Sequence, residues 1–421
     1  MEHDKLITHW QNKVLALCWI AFACSYLLRT NFSIAIPGMM KSFGWSNAST
    51  GLIGSVLFWS YAVGQLVNGF IGDKLNSKAM VFIGIAVAAL MNIFVGFSSN
   101  YIAVMIFWGV NGFFLSALWG PIVKTTALWF PEKKRTHVAV VLALTMTGGY
   151  VASWGIGGQL SSIFSWRANF IVPAVFSAVF AVIWLFAIRT DPHQVGLEIY
   201  DEANNSVEKK NIAPVEHKTT REVFVESRIW YIAIACMAMG FVREGILLWA
   251  PTFLMQAHGM SAAESSAFSL SIPVISTVGI LLSGWFDRMM SGRNRLAATI
   301  FFVFASASNI CVLLFSHSGT AIVIAALGLT VAFMYGADTI LLTIVPYTFS
   351  KYNKASTVAG TLDFCAYIGA AFAGVAIGAV IDFAGWNSVI LIWVLVSAAG
   401  MVSMMLSSMS EKREKTALEA K

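Results

Sequence analysis

Apolar runs of about 20 residues recur along this chain of 421 residues, from near its start to near its end. Each is long enough to cross a hydrocarbon core of ~30 Å. Twelve can be delimited, at about 14–38, 48–70, 79–97, 101–129, 137–164, 168–189, 228–256, 264–286, 297–316, 320–347, 355–382 and 387–409. At bilayer depth no water satisfies the backbone, so a spanning segment must be a helix or part of a closed barrel. Barrel strands are short and alternate in polarity; these runs are longer and do not alternate. The expectation is an all-α polytopic membrane protein with twelve transmembrane helices. Composition agrees: 58% of residues are hydrophobic and 11% charged, where a soluble domain carries roughly 25% charged residues.

One long polar segment, about 190–227, divides the spans six and six. It holds Asp191-Pro192, Asn204-Asn205 and Lys209-Lys210 and cannot bury a core. The expected organisation is a six-helix bundle over 1–189, a cytoplasmic linker over 190–227, a second six-helix bundle over 228–410 and a cytoplasmic tail over 411–421. The halves repeat each other. Arg29 precedes Pro37 by eight positions and Arg243 precedes Pro251 by eight. Forty-four residues after each arginine comes a short charged loop, Asp73-Lys74 and Asp287-Arg288. Phe164-Ser165-Trp166 and Phe383-Ala384-Gly385-Trp386 precede the sixth and twelfth spans.

Net charge is +6, yet its distribution argues against a nucleic-acid partner. With the N-terminus in the cytoplasm, only Lys41 and Arg167 of the 27 Lys and Arg fall on the opposite side. Arg29, Lys124 and Arg243 lie inside spans, and all the others lie in cytoplasmic loops or tails. This asymmetry orients both termini to the cytoplasm of a multi-pass protein of the cell (inner) membrane. The five cysteines fall in spans without a Cys-x-x-Cys pair or accompanying histidines, so neither a disulfide framework nor a metal site is indicated. No cofactor is expected.

The intramembrane charges carry the chemistry. Arg29 lies ~12 Å from the outer end of its span, near the midplane, and Arg243 is equally central. A charge at that depth faces a partner or a watery cavity. Two at matching places suggest one anion site on a pseudo-symmetry axis, as in many secondary transporters. The planar guanidinium fork matches phosphate or carboxylate oxygens. Glu244, Asp338 and Asp363 are intramembrane carboxylates and candidates for proton coupling. Glu244 is adjacent to Arg243, about 100° away around the helix, so the two are not expected to need each other; Lys124 and Arg29 are alternative partners for it. Lys124 either helps substrate leave or reaches the interface. Tyr26, Tyr61, Trp119, Trp249, Tyr335 and Tyr367 are aromatic candidates for a central cavity.

The segments Tyr26-Leu27-Leu28-Arg29-Thr30-Asn31-Phe32, Trp119-Gly120-Pro121-x-x-Lys124 and Arg243-Glu244-Gly245-Ile246-Leu247-Leu248-Trp249-Ala250-Pro251 resemble the organophosphate:phosphate antiporter family of the major facilitator superfamily. The Gly69-x-x-x-Asp73-Lys74 loop and its counterpart Asp287-Arg288 resemble that superfamily's signature loop. The resemblance implies two pseudo-symmetric bundles that rock about a central site. It also implies that Arg29 and Arg243 hold a substrate phosphate, and that Asp73, Lys74, Asp287 and Arg288 form a conformational latch. The partners implied are a small anionic substrate, inorganic phosphate or protons as coupling species, and the lipid bilayer; a monomer is expected. Departures from the family pattern are Gly120 for a proline, Gln65 at a substrate-lining lysine position, Thr145 near a histidine position, and Glu244. They make the cavity less positive and keep phosphonates, sulfonates and sugar acids in play, the last as in related anion:cation symporters. A transporter-like membrane sensor is the alternative of another class. No phosphate-cradling loop, metal cluster or nucleophile-base pair supports an enzyme.

Overall fold

The computed structural model describes residues 2–72, 75–197, 220–290, 293–316, 319–349, 352 and 354–419. Regular structure among them is entirely helical. The first helices are α1 (Glu2–Phe43), α2 (Asn47–Gly72), α3 (Ser77–Phe97), α4 (Tyr101–Leu115), α5 (Trp119–Trp129), α6 (Glu132–Ile163) and α7 (Ala168–Ala187). After a short 3₁₀ turn, Pro192–Val195, come α8 (Thr220–Glu226), α9 (Ile229–His258), α10 (Ala262–Ser269), α11 (Ser271–Met289), α12 (Asn294–Phe315) and α13 (Thr320–Asp338). A π-helical turn, Thr339–Ile344, leads into α14 (Val345–Tyr347), and α15 (Ala355–Glu419) closes the chain.

Eleven helices among the described residues are long and apolar enough to cross a membrane. The last of them, Thr357–Ser410, has 54 residues, about 80 Å of helix, far more than one crossing needs. Gly385 breaks it with φ 73° and ψ −178°, outside helical geometry, where expected spans eleven and twelve meet. Three other expected spans are interrupted before a proline. Proline lacks an N–H and crowds the carbonyl four residues back. Pro121 thus separates α4 from α5 at Ser116–Leu118, Pro273 separates α10 from α11 at Leu270, and the π turn precedes Pro346. The break before Pro121 falls a few residues earlier than the Gly120-Pro121 dipeptide suggests. Pro37 and Pro251 stay inside α1 and α9.

The chain divides into two compact units, Met1–Met39 with Trp59–Asn211, and Met40–Phe58 with Ile212–Lys421. In the first, α3 packs on α7 and α4 around the enclosed tryptophans Trp108, Trp154 and Trp184. In the second, α9 lies along α15, while α11 and α12 pack on α13. The opening turn of α2 belongs to this second unit. Asp382 of α15 accepts hydrogen bonds from the Asn47 backbone N–H (3.1 Å), Asn47 Nδ2 (2.7 Å) and the Ala48 N–H (2.8 Å). A carboxylate there satisfies N–H groups that have no partner within the helix and complements its dipole.

Candidate functional site

Arg29 stands in the middle of α1 and is half-buried. Its guanidinium lies 4.6 Å from the ring centroid of Tyr26, one turn earlier, and 5.7 Å from that of Tyr61 on α2. Cations are attracted to the ring face, so the two tyrosines hold the guanidinium on this side of α1. Tyr26 is held by Tyr150 of α6, 5.7 Å away between centroids. It can approach because Gly149 has no side chain; a Cβ there would come within 2.3 Å of Tyr26 Cβ.

The backbone around Arg29 is fixed by a buried asparagine network that the sequence reading did not anticipate. Asn92 and Asn111 both donate to the Leu28 carbonyl (3.1 and 2.9 Å). Asn31 donates to Asn92 Oδ1 and to the Asn169 carbonyl, both at 2.9 Å. Trp154 donates its indole N–H to the Thr30 carbonyl at 3.2 Å. Three helices, α3, α4 and α6, therefore hold α1 by the carbonyls flanking the arginine, and α1 in turn donates through Asn31 to α7. A lone asparagine in an apolar run was the available signal: Asn92, Asn111 and Asn31 each interrupt one. Asn92→Leu keeps the approximate volume and removes the hub of the network. Hydrogen bonds inside membrane proteins average about 0.6 kcal/mol and reach about 1.7, so losing two or three is expected to cost about 1–3 kcal/mol. Reversible unfolding in mixed micelles measures this; a loss below about 0.5 kcal/mol would show the network to be dispensable.

In the second unit Arg243 is 8% exposed. Its Nε donates to Glu244 Oε1 at 3.0 Å and its Nη1 to Asp338 Oδ1 at 2.5 Å. Tyr335 lies under the guanidinium, 4.7 Å to the centroid. The expectation that Arg243 and Glu244 need not pair is thus corrected. Adjacent helical positions diverge, but both side chains are long enough to bend together, and an enclosed charge left single is costly. Asp338, at the C-terminal end of α13 where the π turn begins, crosses to α9 as the second counter-ion. Tyr367 of α15 lies within electrostatic range of Arg243, and Asp363 and Cys365 of α15 within range of Cys236 on α9. Asp363 and Tyr367 are half-buried.

The other expected site residues are distributed as follows. Gln65 is half-buried on α2, and Lys124 is exposed on α5. Trp119 is 39% exposed and lies 4.7 Å from Phe22 between ring centroids. Trp249 is fully enclosed, with its ring against Gly51 and Gly378, so it acts as packing between α2 and α15. Thr145 is fully enclosed and turns its hydroxyl to the Leu142 carbonyl. Asp73 and Lys74 lie outside the described residues, as do the side chains of Asp287 and Arg288. Asp287 and Arg288, expected in a loop, fall in the last turn of α11; near the start of α12, Arg295 ties that helix to α15 and to the residue after α8, donating to Ser407 Oγ (3.1 Å) and to the Ser227 carbonyl (3.0 Å).

Helical architecture of this kind, with an arginine over a tyrosine in a long apolar helix of each half, defines a polytopic membrane protein. Residues 18–374 match the family model of the Major Facilitator Superfamily, and the chain belongs to that superfamily. It is similar to the glycerol-3-phosphate transporter of Bacillus subtilis (strain 168), with 27% identity over 381 residues, 88% of this chain and 86% of that protein. It is also similar to the membrane sensor protein UhpC of Escherichia coli (strain K12), with 23% identity over 425 residues, 96% of this chain and 93% of that protein. Among solved structures it resembles a bacterial homologue of the human lysosomal transporter Spinster, inward-facing and occupied. The TM-score is 0.73 at 17% identity, covering 95% of this chain and 94% of that one, which bears on the fold alone.

Proposed function

We propose that this chain is a secondary active transporter of a small organic anion, a phosphate ester or related phosphonate, moved by alternating access. The observation that carries this reading is the matched pair of intramembrane arginines, Arg29 over Tyr26 and Arg243 over Tyr335. The planar guanidinium fork is the group that suits a planar or tetrahedral oxyanion. The similarity to the glycerol-3-phosphate transporter of Bacillus subtilis supports the substrate class. Both termini face the cytoplasm of the inner membrane, Lys124 stands on the cytoplasmic exit route, and the loops at Asp73-Lys74 and Asp287-Arg288 form the latch. Coupling is by phosphate exchange or by protons.

Counterflow of glycerol 3-phosphate, inorganic phosphate, 2-aminoethylphosphonate and a sugar acid into proteoliposomes tests the reading. Saturable counterflow of a phosphorus oxyanion is expected. Arg29→Lys, which keeps the charge and loses the fork, is expected to lower its rate by about 100-fold. Preference for the sugar acid would move the chain to carboxylate transport. The similarity to UhpC favours a second reading as a membrane sensor. Under it, wild-type protein would bind a phosphate ester and show no counterflow.

A further inference from the structure

The charge around Arg243 does not balance. One guanidinium meets two carboxylates directly, Glu244 and Asp338, and Asp363 stands in the same neighbourhood. A doubly charged phosphoryl group added here would approach carboxylates already holding two of the five N–H bonds of the arginine. Like charges at that separation, out of water, repel strongly. The anion therefore needs a positive charge to arrive with it. The two carboxylates differ in their freedom to accept one. The Glu244 side chain is 5% exposed and sits beside Arg243 on the same helix. That of Asp338 is 24% exposed and comes from a different helix. It stands at the last residue of α13, where the hydrogen-bond ladder widens into the π turn Thr339–Ile344. Such turns mark places where a helix changes its pairing.

Resting on the reading that the substrate anion contacts Arg243, we propose that Asp338 is an exchangeable counter-ion, so that one proton crosses with each anion. On the loading side a water-borne proton forms an O–H bond with the Asp338 carboxylate. The neutral carboxyl releases Arg243 Nη1, and that N–H donates to an oxygen of the anion. After the halves reorient, the anion leaves, the O–H bond breaks, the proton passes to water on the far side, and the carboxylate recovers Nη1. The coupling is thus a competition between substrate and Asp338 for one donor. Glu244 keeps Nε throughout and positions the fork. The ionisable groups around the Arg243–Asp338 pair are Glu244 and Cys236 from α9, Tyr335 from α13 and Tyr367 from α15, with Asp363 and Cys365 of α15 within range of Cys236. The α12 cation Arg295 is held by Ser407 and Ser227.

Proton linkage is measured on the full-length protein in detergent, with inorganic phosphate and glycerol 3-phosphate as probes, at fixed probe ionisation. Wild-type affinity is expected to fall about tenfold per pH unit on the alkaline side, with one proton taken up per anion bound. Asp338→Asn is expected to bind with a flat pH profile and to lose accumulation driven by an imposed proton gradient. Glu244→Gln is expected to keep the wild-type slope. A wild-type slope in Asp338→Asn, or wild-type accumulation that ignores the proton gradient while counterflow persists, would overturn the proposal and leave the transport reading standing. Should Asp338→Asn fail to fold, proton uptake by wild-type protein decides alone: about one per anion supports the proposal and none refutes it. Absence of both binding and counterflow in the wild type would remove the transport reading and the proposal together.

Discussion

Arg243→Leu is expected to abolish anion binding and to destabilise the protein. Truncation leaves Glu244 and Asp338 facing each other without the guanidinium that both hold, 3.0 and 2.5 Å away in the wild type. Removing one partner of a buried ion pair costs about 3–5 kcal/mol, because the remaining charge stays desolvated. The loss should therefore be larger than for any single carboxylate change. A triple variant, Arg243→Leu with Glu244→Gln and Asp338→Asn, separates the two effects. It is expected to recover most of the stability and none of the anion binding. Thermal unfolding in detergent and phosphate binding check the two halves of this statement. Anion binding by the triple variant would mean that Arg243 is a structural ion-pair member and Arg29 suffices.

Gly369→Val should be the most damaging change outside the charged cluster. Gly369 and Gly240 sit at the crossing of α15 and α9, each against the other helix's backbone. A Cβ at Gly369 would lie 1.9 Å from the Met237 carbonyl oxygen, and one at Gly240 would lie 1.9 Å from that of Ala366. Backbone atoms cannot turn aside as a side chain can, so the helices must separate. Overpacking costs typically about 1–3 kcal/mol when neighbours can yield; here the cost should exceed that range, with loss of the monodisperse folded species on size-exclusion chromatography. Spreading this crossing also moves Arg243 away from α15. Gly360, on the same helix with nothing within 4 Å of a built Cβ, is the control. Gly360→Ala is expected to be neutral or to gain up to about 1 kcal/mol, the helix-propensity difference. Equal damage from both would refute the crossing argument.

Much of the architecture was legible because membrane helices announce themselves by length. The twelve apolar runs appear as helices, with the last two fused except for the break at Gly385. Spans four, eight and ten lose regularity just before Pro121, Pro273 and Pro346. The repeat extends further than the arginines: α1 and α9 both end at a glycine in the left-handed region, Gly44 at φ 68° and Gly259 at φ 67°. What could not be read was side-chain partnership. Trp249 looked like a cavity aromatic and is enclosed packing. Asp382, the carboxylate that caps α2, had nothing in its local sequence to distinguish it. Asn31, Asn92 and Asn111 were visible as polar interruptions, but the convergence of Asn92 and Asn111 on the Leu28 carbonyl was not.

By itself the sequence determined the kind of elements, the long apolar helices that carry Arg29 and Arg243, and the pseudo-repeat that pairs them. These depend on hydrophobic length and on a rise of 1.5 Å per residue, which are local quantities. Only the tertiary structure decided which groups answer those charges. Asp338 reaches Arg243 from 95 residues away, and Glu244 bends round its own helix to reach the same fork. Partner choice depends on how each helix is rotated about its axis and how closely its neighbours approach. Those quantities come from the packing of whole helices and have no expression in any single stretch of chain.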